Sequence, residues 1–378
     1  MNEKLPVSRP CIGAPELGAV ARVFDSGWLG HGEQVVEFER KVGEAIGAEH
    51  VVAVNTGTSA LHLALSASGV GAGDEVVIPS LTFCSGVQVI TALGAIPIFC
   101  EVSPKTLNID VEDAFSRITA RTRAIVPVHF CGQVCDMDAL LNHCRDKPIF
   151  VVEDAAHAFG SSSSGRMVGS FGDLTCFSFD PIKSITCGEG GAIALSDGER
   201  ARVLRRQRMA GIDRDSWCRV KILDGADYDV TMQGYRYHMS NINAAIGLMQ
   251  LERLDEFRLR RRAIARRYNE GLSGIDGVKI LEWNLEQTCP FMYVLRVLAG
   301  RRAALRSFLA DRGVSTGIHY TPNHQQPLWA NLPGADTLQS TEALAREIVT
   351  IPLYYEMTDS DVDRVIAGVN LFFRGSMD

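Results

Sequence analysis

Short apolar runs recur along the chain from residue 51 and predict a series of buried strands. Most are unbroken runs of valine, isoleucine, leucine and phenylalanine, as expected for strands that are covered on both faces. Helical patterns such as "SALHLALSASG" and "DMDALLNHCRD" separate several of them, which predicts an α/β domain with a mainly parallel sheet. Functional residues in such sheets collect at the carboxyl ends of the strands. The predicted strands lie in "HVVAVN", "DEVVIPS", "AIPIFCEV", "RAIVPVHF", "PIFVVED", "LTCFSFD" and "GGAIALSD".

The pattern changes after about residue 240. The stretch "SNINAAIGLMQLERLDEFRLRRRAIARRYNEGL" has helical periodicity and begins with a Ser or Asn cap, so it predicts one helix or two. Beyond it, the strand-like "PFMYVLRVL" and the helical "RRAALRSFLADRG" predict a smaller α+β domain. We therefore expect an N-terminal segment with a large α/β domain over residues 1–250 and a small C-terminal domain over residues 251–378.

Composition and charge narrow the class of protein. The chain has 378 residues, 46% of them hydrophobic and 22% charged, which is ordinary for a globular protein of two domains. Its net charge of -7 gives no general attraction to nucleic acid or to anionic membranes. No apolar stretch resembles a signal peptide or reaches the length of a membrane span, so we expect a cytoplasmic protein. The basic runs "RVLRRQR" and "RLRRRAIARR" are interpreted as solvated helix faces.

The ten cysteines have no disulfide-framework spacing, so most are expected to be small buried side chains. One group, His129, Cys131 and Cys135, could suggest a metal site. Zinc sites usually supply two close pairs of ligands, and no second pair is present elsewhere in the sequence. We therefore expect no metal and interpret the group as packing at the end of a strand.

A strand-to-helix turn in "VAVNTGTSALHLAL" is a candidate anion site. The strand is predicted to end at Val54 and the helix to begin near Ser59, with Gly57 and Thr58 in the turn. Free backbone N–H groups and the positive end of a helix dipole at such a turn suit a phosphate. Simple helix capping is the alternative interpretation, because many turns of this kind are rich in Gly and Thr.

Two further residues stand at the ends of predicted strands. Asp154 ends the apolar run "FVVED", where an acid is costly to bury unless it is paired; a helix cap is the alternative. His157 would lie near the same side. Lys183, in "SFDPIKSITCGEGGA", is close to buried strands, and burial lowers the pKa of an amine and makes it nucleophilic towards a carbonyl. A solvated strand end is the alternative for the lysine.

One cofactor, pyridoxal phosphate, needs three features that are present here: the anion site at the turn, the strand-end acid Asp154 and the lysine Lys183. A lysine forms a Schiff base with it, an acid holds its pyridine nitrogen protonated, and a helix N-terminus binds its phosphate. The glycines after Glu189 would let the backbone pass close to such a site.

The sequence resembles the sugar aminotransferases of the DegT/DnrJ/EryC1/StrS group over nearly its whole length. The resemblance runs in the family's order through "GWLGHGEQVVEFE", "NTGTSALHLAL", "GDEVVIPSLTF", "EDAAHAFG", "SFDPIKSITCGEGGA", "GYRYHMSNINAAIGLMQLERLD" and "GIHYTPNHQQPLW". It implies a fold-type I pyridoxal-phosphate enzyme, with a seven-stranded, mainly parallel sheet in the large domain. It also implies a homodimer with the active site at the subunit interface.

The resemblance implies roles for individual residues. Lys183 would form the Schiff base and move protons, Asp154 would pair with the pyridine nitrogen, and His157 would lie beside the ring. Phe83 would stack on the ring. The phosphate would be held by Gly57, Thr58, Ser59 and Ser178. Lys183 also favours an aminotransferase, because family members that dehydrate a sugar carry His at this position.

One stretch departs from the family pattern. Many members have Gly-aromatic-Asn-x-Arg before "MSNI", and the Asn reaches a phosphate across the dimer interface. Here the stretch is "GYRYHM", with Arg236 and His238 at those places. Either could bind a phosphate, and we expect Arg236 to do so because of its charge and forked donors.

The expected reaction is transfer of an amino group from glutamate to a nucleotide-linked keto sugar. "DAAHA" and "GIDRDSW" look more like members that act at C-4 of a 4-keto-6-deoxyhexose than at C-3. His319, Tyr320 and His324, in "GIHYTPNHQQP", are expected near the sugar, with polar loop packing as the alternative. A 3-keto sugar or keto-inositol aminotransferase, or a non-catalytic regulatory protein that binds pyridoxal phosphate, would share the cofactor residues.

Overall fold

A computed structural model describes residues 4–212, 228–332 and 338–375 of the chain. Two helices precede the first strand, α1 (Ala14–Ser26) and α2 (Glu33–Ile46). Gly27 and Gly47 end them in left-handed conformations, with φ of 69° and 70°, which glycine adopts without a steric penalty.

A seven-stranded sheet forms the centre of the larger part of the molecule. Its order is β1-β9-β8-β5-β4-β2-β3. Only β9 is antiparallel to its neighbours, so six strands end at the same edge. The strands are β1 (His50–Val54), β2 (Glu75–Pro79), β3 (Ile96–Cys100), β4 (Thr122–Ile125), β5 (Phe150–Asp154), β8 (Leu174–Ser178) and β9 (Gly191–Leu195). A separate small hairpin pairs β6 (Ser162–Ser163) with β7 (Arg166–Met167).

Helices and buried side chains cover both faces of this sheet. On β1, Val52 and Val54 join one core cluster, whereas Val51 and Ala53 join another, because successive side chains point to opposite faces. This two-sided burial explains the continuous apolar runs and confirms the predicted α/β class. The helices of this part are α3 (Gly57–Ala67), α4 (Ser85–Ala92), α5 (Val111–Ser116), α6 (Met137–Cys144) and α7 (Gly198–Gln207).

The stretch for which the sequence predicts one helix or two forms two, α8 (Asn241–Glu252) and α9 (Leu254–Leu272), which meet at Arg253. Ser240 caps α8 as predicted, because its hydroxyl accepts the Asn243 N–H at 3.2 Å. Two arginines of the basic run on α9 pair with the C-terminal helix, Arg260 with Asp359 at 2.9 Å and Arg267 with Asp363 at 2.7 Å.

The interpretation of this run as a solvated helix face is correct only in part. Arg260 and Arg267 are partly exposed, but Arg261 and Arg262 are buried and donate to the carbonyl oxygens of Phe291 and Thr288.

A second, smaller core follows α9. Three antiparallel strands, in the order β10-β11-β12, pack against α9 and two later helices around Tyr268, Tyr293, Leu295 and Val365. Leu5, near the N-terminus, also belongs to this core and pairs with Val314. The domain boundary at residue 250 stays a prediction. The remaining elements are β10 (Val278–Ile280), β11 (Tyr293–Val297), α10 (Arg302–Ala310), α11 (Gln339–Glu347), β12 (Ile348–Ile351) and α12 (Asp359–Arg374).

Within the described ranges, no helix combines the length and the apolar character that a membrane crossing requires.

Candidate active site

A cavity of about 290 Å³ opens at the carboxyl edge of the large sheet. It is lined by residues that follow β1, β2, β5 and β8, and by others from the chain beyond β10. The parallel strands explain this convergence, because their carboxyl ends meet at one edge. The lining residues include Thr56, Gly57, Thr58, Thr82, Phe83, Asp154, His157, Ser178, Asp180, Lys183, Glu189, Phe291, His319 and Tyr320.

The start of α3 forms one end of the cavity. Thr56 is the N-cap, and its hydroxyl accepts the Ser59 N–H at 3.0 Å, so the helix begins two residues earlier than predicted. The N–H groups of Gly57 and Thr58 have no acceptor in the described part of the chain. They remain available to an anion at the positive end of the helix.

Glycines allow the backbone to approach closely at this end. A Cβ on Gly57 would lie 2.8 Å from the Cβ of Ser178, so a side chain at residue 57 would push the Ser178 hydroxyl away from the turn. A Cβ on Gly191 would lie 2.4 Å from the carbonyl oxygen of Thr56. The expectation that the glycines after Glu189 let the chain pass close to the site agrees with this packing.

Asp154 ends β5 and is nearly buried, at 4% exposure. Its Oδ1 accepts one hydrogen bond, from the Ala156 N–H at 3.1 Å. Burial raises the pKa of the Asp154 carboxyl, while the Ala156 N–H and the charges of Lys183 and His129 act in the opposite direction. A buried carboxyl with so little hydrogen bonding is suited to a cationic N–H donor in the cavity.

Lys183 lies in the turn between β8 and β9. Its Nζ is 4.3 Å from the centre of the Phe291 ring, and no carboxylate of the described residues lies within ion-pair distance of it. Burial lowers the pKa of the Lys183 amine, although Asp180 and Asp154 oppose this effect. A buried amine without an ion-pair partner is held in the nucleophilic, neutral form more readily than a surface lysine.

His157 stands against two aromatic rings. It stacks on Phe291 with ring centres 4.4 Å apart, and its Nε2 lies 3.1 Å from the hydroxyl of Tyr320. Burial, with the charges of Lys183 and His319, holds the pKa of His157 well below its usual range. Its Nδ1 is buried and has no hydrogen-bond partner among the residues that the structure describes, so this nitrogen is available to a ligand.

His319, Tyr320 and Phe83 form the opposite wall. His319 Nδ1 lies 2.7 Å from the Thr350 hydroxyl, and burial lowers the pKa of this imidazole. The rings of Phe83 and Tyr320 have centres 5.8 Å apart. Phe83 itself is 54% exposed, so one face of its ring is open to a planar ligand.

The structure brings most of the predicted site residues together, but three lie elsewhere. Ser59 turns back to bond Asn55 at 2.7 Å, Arg236 is exposed outside the cavity wall, and His324 is buried behind the wall. Residues 213–217 of the "GIDRDSW" stretch lie outside the described residues. The roles of these three residues, like those of the residues that line the cavity, stay predictions.

Phe291 is a cavity residue that the sequence analysis missed. It sits two residues before β11, inside a stretch that was interpreted only as a strand. No local signal could have identified it, because its contacts with His157 and Lys183 span more than a hundred positions of the chain.

The His129, Cys131 and Cys135 group is part of the packing below the site. The Cys135 N–H donates to Nδ1 of His129 at 3.1 Å, and His129 Nε2 lies 2.8 Å from Glu153. Both ring nitrogens therefore have protein partners, and neither is left for a metal. Across the described residues, no group of three or more metal-ligating side chains is found.

The cavity fits pyridoxal phosphate in its donors and acceptors. The uncapped N–H groups of Gly57 and Thr58, with the Ser178 hydroxyl, suit a phosphate. The underbonded Asp154 suits a protonated ring nitrogen, and Lys183 suits an aldehyde.

Comparisons with known proteins agree with this fit. The model of the DegT/DnrJ/EryC1/StrS aminotransferase family matches residues 10–370. The spore coat polysaccharide biosynthesis protein SpsC of Bacillus subtilis is 38% identical over 99% of this chain and 98% of its own. The aminotransferase TlmJ of Streptoalloteichus hindustanus has a TM-score of 0.92 and 36% identity, covering 99% of this chain and 100% of its own.

A third relative was solved with the cofactor. A putative sugar aminotransferase of Streptococcus pneumoniae, in its PLP form, has a TM-score of 0.91 and 28% identity, covering 99% of this chain and 100% of its own. The family match over nearly the whole chain confirms the enzyme class and the cofactor that the sequence predicted. The chain belongs to the DegT/DnrJ/EryC1/StrS aminotransferase family and is a pyridoxal-phosphate-dependent sugar aminotransferase.

Proposed function

We propose that the enzyme transfers the amino group of glutamate to C-4 of a nucleotide-linked 4-keto-6-deoxyhexose. The observation that supports amino transfer most directly is the setting of Lys183. This buried amine has no ion-pair partner among the described residues, and it shares one cavity with Asp154 and the N-terminus of α3. The "DAAHA" motif, in which Asp154 and His157 lie, supports the C-4 assignment. SpsC, which is similar over its whole length, is named for polysaccharide biosynthesis and supports a sugar acceptor.

Lys183 is the proposed proton carrier. When bound, pyridoxal phosphate supplies an electron sink for the carbon that loses or gains a proton. Burial favours the neutral amine of Lys183, which can accept a proton from the amino donor in one half of the reaction. The resulting ammonium would deliver that proton to a second carbon within the same half, with the Phe291 ring stabilising the cation at 4.3 Å. In the other half, Lys183 would again accept a proton from one carbon and deliver it to another.

Asp154 and His157 are proposed to hold the cofactor ring in place from one side. Asp154 offers a buried carboxyl to the ring nitrogen, and the low-dielectric surroundings strengthen that charge-assisted bond. His157 stays neutral because burial lowers its pKa, so it offers Nδ1 to the ring without adding a positive charge.

The aromatic wall is proposed to exclude water from the reacting carbon. Phe83, Phe291 and Tyr320 present apolar surface around Lys183, which lowers the local dielectric. His319 and Tyr320 are proposed to face the sugar, because both line the cavity and carry polar atoms.

We also propose that the active unit is a homodimer. Arg236 is exposed and lies outside the cavity of its own protomer, as expected for a side chain that reaches a neighbouring subunit. A guanidinium at that place would pair with a phosphate through its forked donors.

A panel of keto sugars tests the acceptor. The purified enzyme with pyridoxal phosphate and glutamate is offered nucleotide-linked 4-keto and 3-keto sugars and an unactivated keto-inositol. We expect 2-oxoglutarate and an amino sugar only from the 4-keto nucleotide sugar. Turnover of the cyclitol alone would exclude a nucleotide sugar, and cofactor binding without any 2-oxoglutarate would indicate a regulatory protein.

A further inference from the structure

The segment after β2 that carries Phe83 is held by residues from the far end of the chain. Asn323 donates its side-chain Nδ2 to the carbonyl oxygens of Ser80 (3.1 Å) and Thr82 (2.8 Å). Its backbone N–H donates to the Ser80 carbonyl as well, at 2.9 Å. Since the Phe83 side chain is largely exposed, these bonds fix the loop more than packing of the ring does.

His324 adds a second, buried attachment to the same loop. Its backbone N–H donates to Ser80 Oγ at 3.1 Å, and its Nδ1 lies 2.7 Å from the same oxygen. On the other side, Nε2 lies 3.3 Å from a carboxylate oxygen of Glu342, on α11. Ser80 is fully buried and His324 is 4% exposed, so neither side chain can reach a substrate.

The direction of these hydrogen bonds follows from their donors. Ser80 Oγ already accepts a backbone N–H, and the Glu342 carboxylate can only accept. Nε2 of His324 therefore donates to Glu342, and in that tautomer Nδ1 accepts the Ser80 hydroxyl proton. In this hydrogen-bond network, which runs from Glu342 through His324 to Ser80, both imidazole nitrogens and the serine hydroxyl have partners, and this makes the network rigid.

The residues that hold this loop belong to the segment that also carries His319 and Tyr320 of the cavity wall. His319 and Tyr320 precede Asn323 by only a few residues, and the Tyr320 ring lies 5.8 Å from that of Phe83. The hydrogen-bond network thus joins the end of β2, in the large sheet, to a segment next to the smaller core.

We propose that Ser80 and His324 are positioning residues that set the spacing between Phe83 and Tyr320, and thereby the affinity and orientation of the cofactor ring. This assigns His324 a role other than the sugar contact expected from the sequence. It rests on the proposed stacking of Phe83 on the cofactor, but not on the identity of the sugar.

Paired substitutions of His324 test the proposal. In His324→Asn the amide oxygen stands near the place of Nδ1 and can accept from Ser80, whereas His324→Gln reaches Glu342 but leaves Ser80 without an acceptor. Ser80→Ala removes the hydroxyl itself. Each variant is titrated with pyridoxal phosphate as the apo-protein, and the circular dichroism of the bound cofactor is recorded. The KM for the keto sugar is measured at saturating cofactor.

We expect Ser80→Ala and His324→Gln to weaken cofactor binding about tenfold and to reduce the cofactor dichroism, because a buried polar group loses its partner. His324→Asn should stay within about threefold of the parent. Tyr268→Phe is the matched control, because it removes a buried bond to the Pro352 carbonyl (2.8 Å) away from the cavity. It should lower the melting temperature without changing the dichroism.

Two results would overturn the proposal. One is equal cofactor affinity and dichroism in His324→Gln, His324→Asn and Tyr268→Phe. The other is a raised KM for the sugar in the His324 variants with cofactor binding unchanged, which would restore the substrate role. Cofactor affinity and cofactor dichroism can both be measured even if none of the keto sugars is turned over. A failure of the proposed sugar acceptor can therefore be distinguished from a failure of this proposal.

Discussion

Glu153 and Asp154 are neighbours on β5 and both are buried, but their surroundings differ. Glu153 accepts hydrogen bonds from the Thr175 hydroxyl (2.6 Å) and the Gly172 N–H (2.8 Å), and it pairs with His129. Asp154, which points to the opposite face, accepts one bond from the protein, from Ala156. The difference indicates that burial alone does not identify a functional acid. Glu153 has its hydrogen bonds satisfied within the sheet, whereas Asp154 keeps acceptor capacity, which is why we propose it for the cofactor.

Lys183, which lines the same cavity as Asp154, should give the largest effect. Lys183→Ala should lower the rate of amino transfer by at least about 10⁴-fold, because it removes both the nucleophile and the proton carrier. The free energy of unfolding should change little, since no carboxylate of the described residues pairs with the amine. Steady-state rates with glutamate and the sugar, beside a denaturant titration, measure the two effects. Activity within tenfold of the parent would contradict the assignment.

Asp154→Asn should separate chemistry from stability. We expect kcat to fall about 10²–10³-fold, because an amide cannot hold a proton on the ring nitrogen as a carboxylate does. Stability should be unchanged or slightly raised, since burial of a charge is removed. Single-turnover kinetics with glutamate report the first effect. A large loss of stability with normal kcat would mean that Asp154, like Glu153, stabilises the fold and takes no part in the chemistry.

Glu153→Gln should show the reverse pattern. The amide must place a donor against either His129 or the Thr175 and Gly172 donors, so one buried donor loses its acceptor. We expect the free energy of unfolding to fall by about 1–3 kcal/mol, measured by urea titration of the apo-protein. In the variant that remains folded, kcat should stay within about tenfold of the parent, and a larger fall would assign Glu153 to the chemistry.

His157 should give the smallest effect, a change in how stability depends on pH. Its pKa in the folded state lies well below the value of about 6.5 expected when unfolded, so the unfolded chain binds more protons below that pH. Stability should therefore fall as the pH drops below about 6.5, by up to about 1.4 kcal/mol per unit for this residue. His157→Gln should make the slope shallower. An identical slope would show that His157 is protonated equally in both states.

The strand-end residues could be predicted because their signals are local. Lys183 and Asp154 each stand next to an apolar run, and the sheet then brings the ends of those runs together. Phe291 and the Ser80–His324 contact could not be predicted, because both depend on contacts between distant parts of the chain. Ser80 and His324, for example, are 244 positions apart. No residue type indicates the break between α8 and α9 at Arg253, since neither Gly nor Pro stands there.

The two walls of the cavity come from different cores of the molecule. Asp154 and Lys183 belong to the large sheet, whereas Phe291, His319 and Tyr320 adjoin the smaller one. A chain that unfolds only its smaller core would therefore keep Lys183 and Phe83 in place but lose the Phe291 and Tyr320 rings from the cavity. Loss of the cofactor's optical activity on heating should report the melting of the C-terminal strands, well before the far-ultraviolet signal of the large sheet disappears.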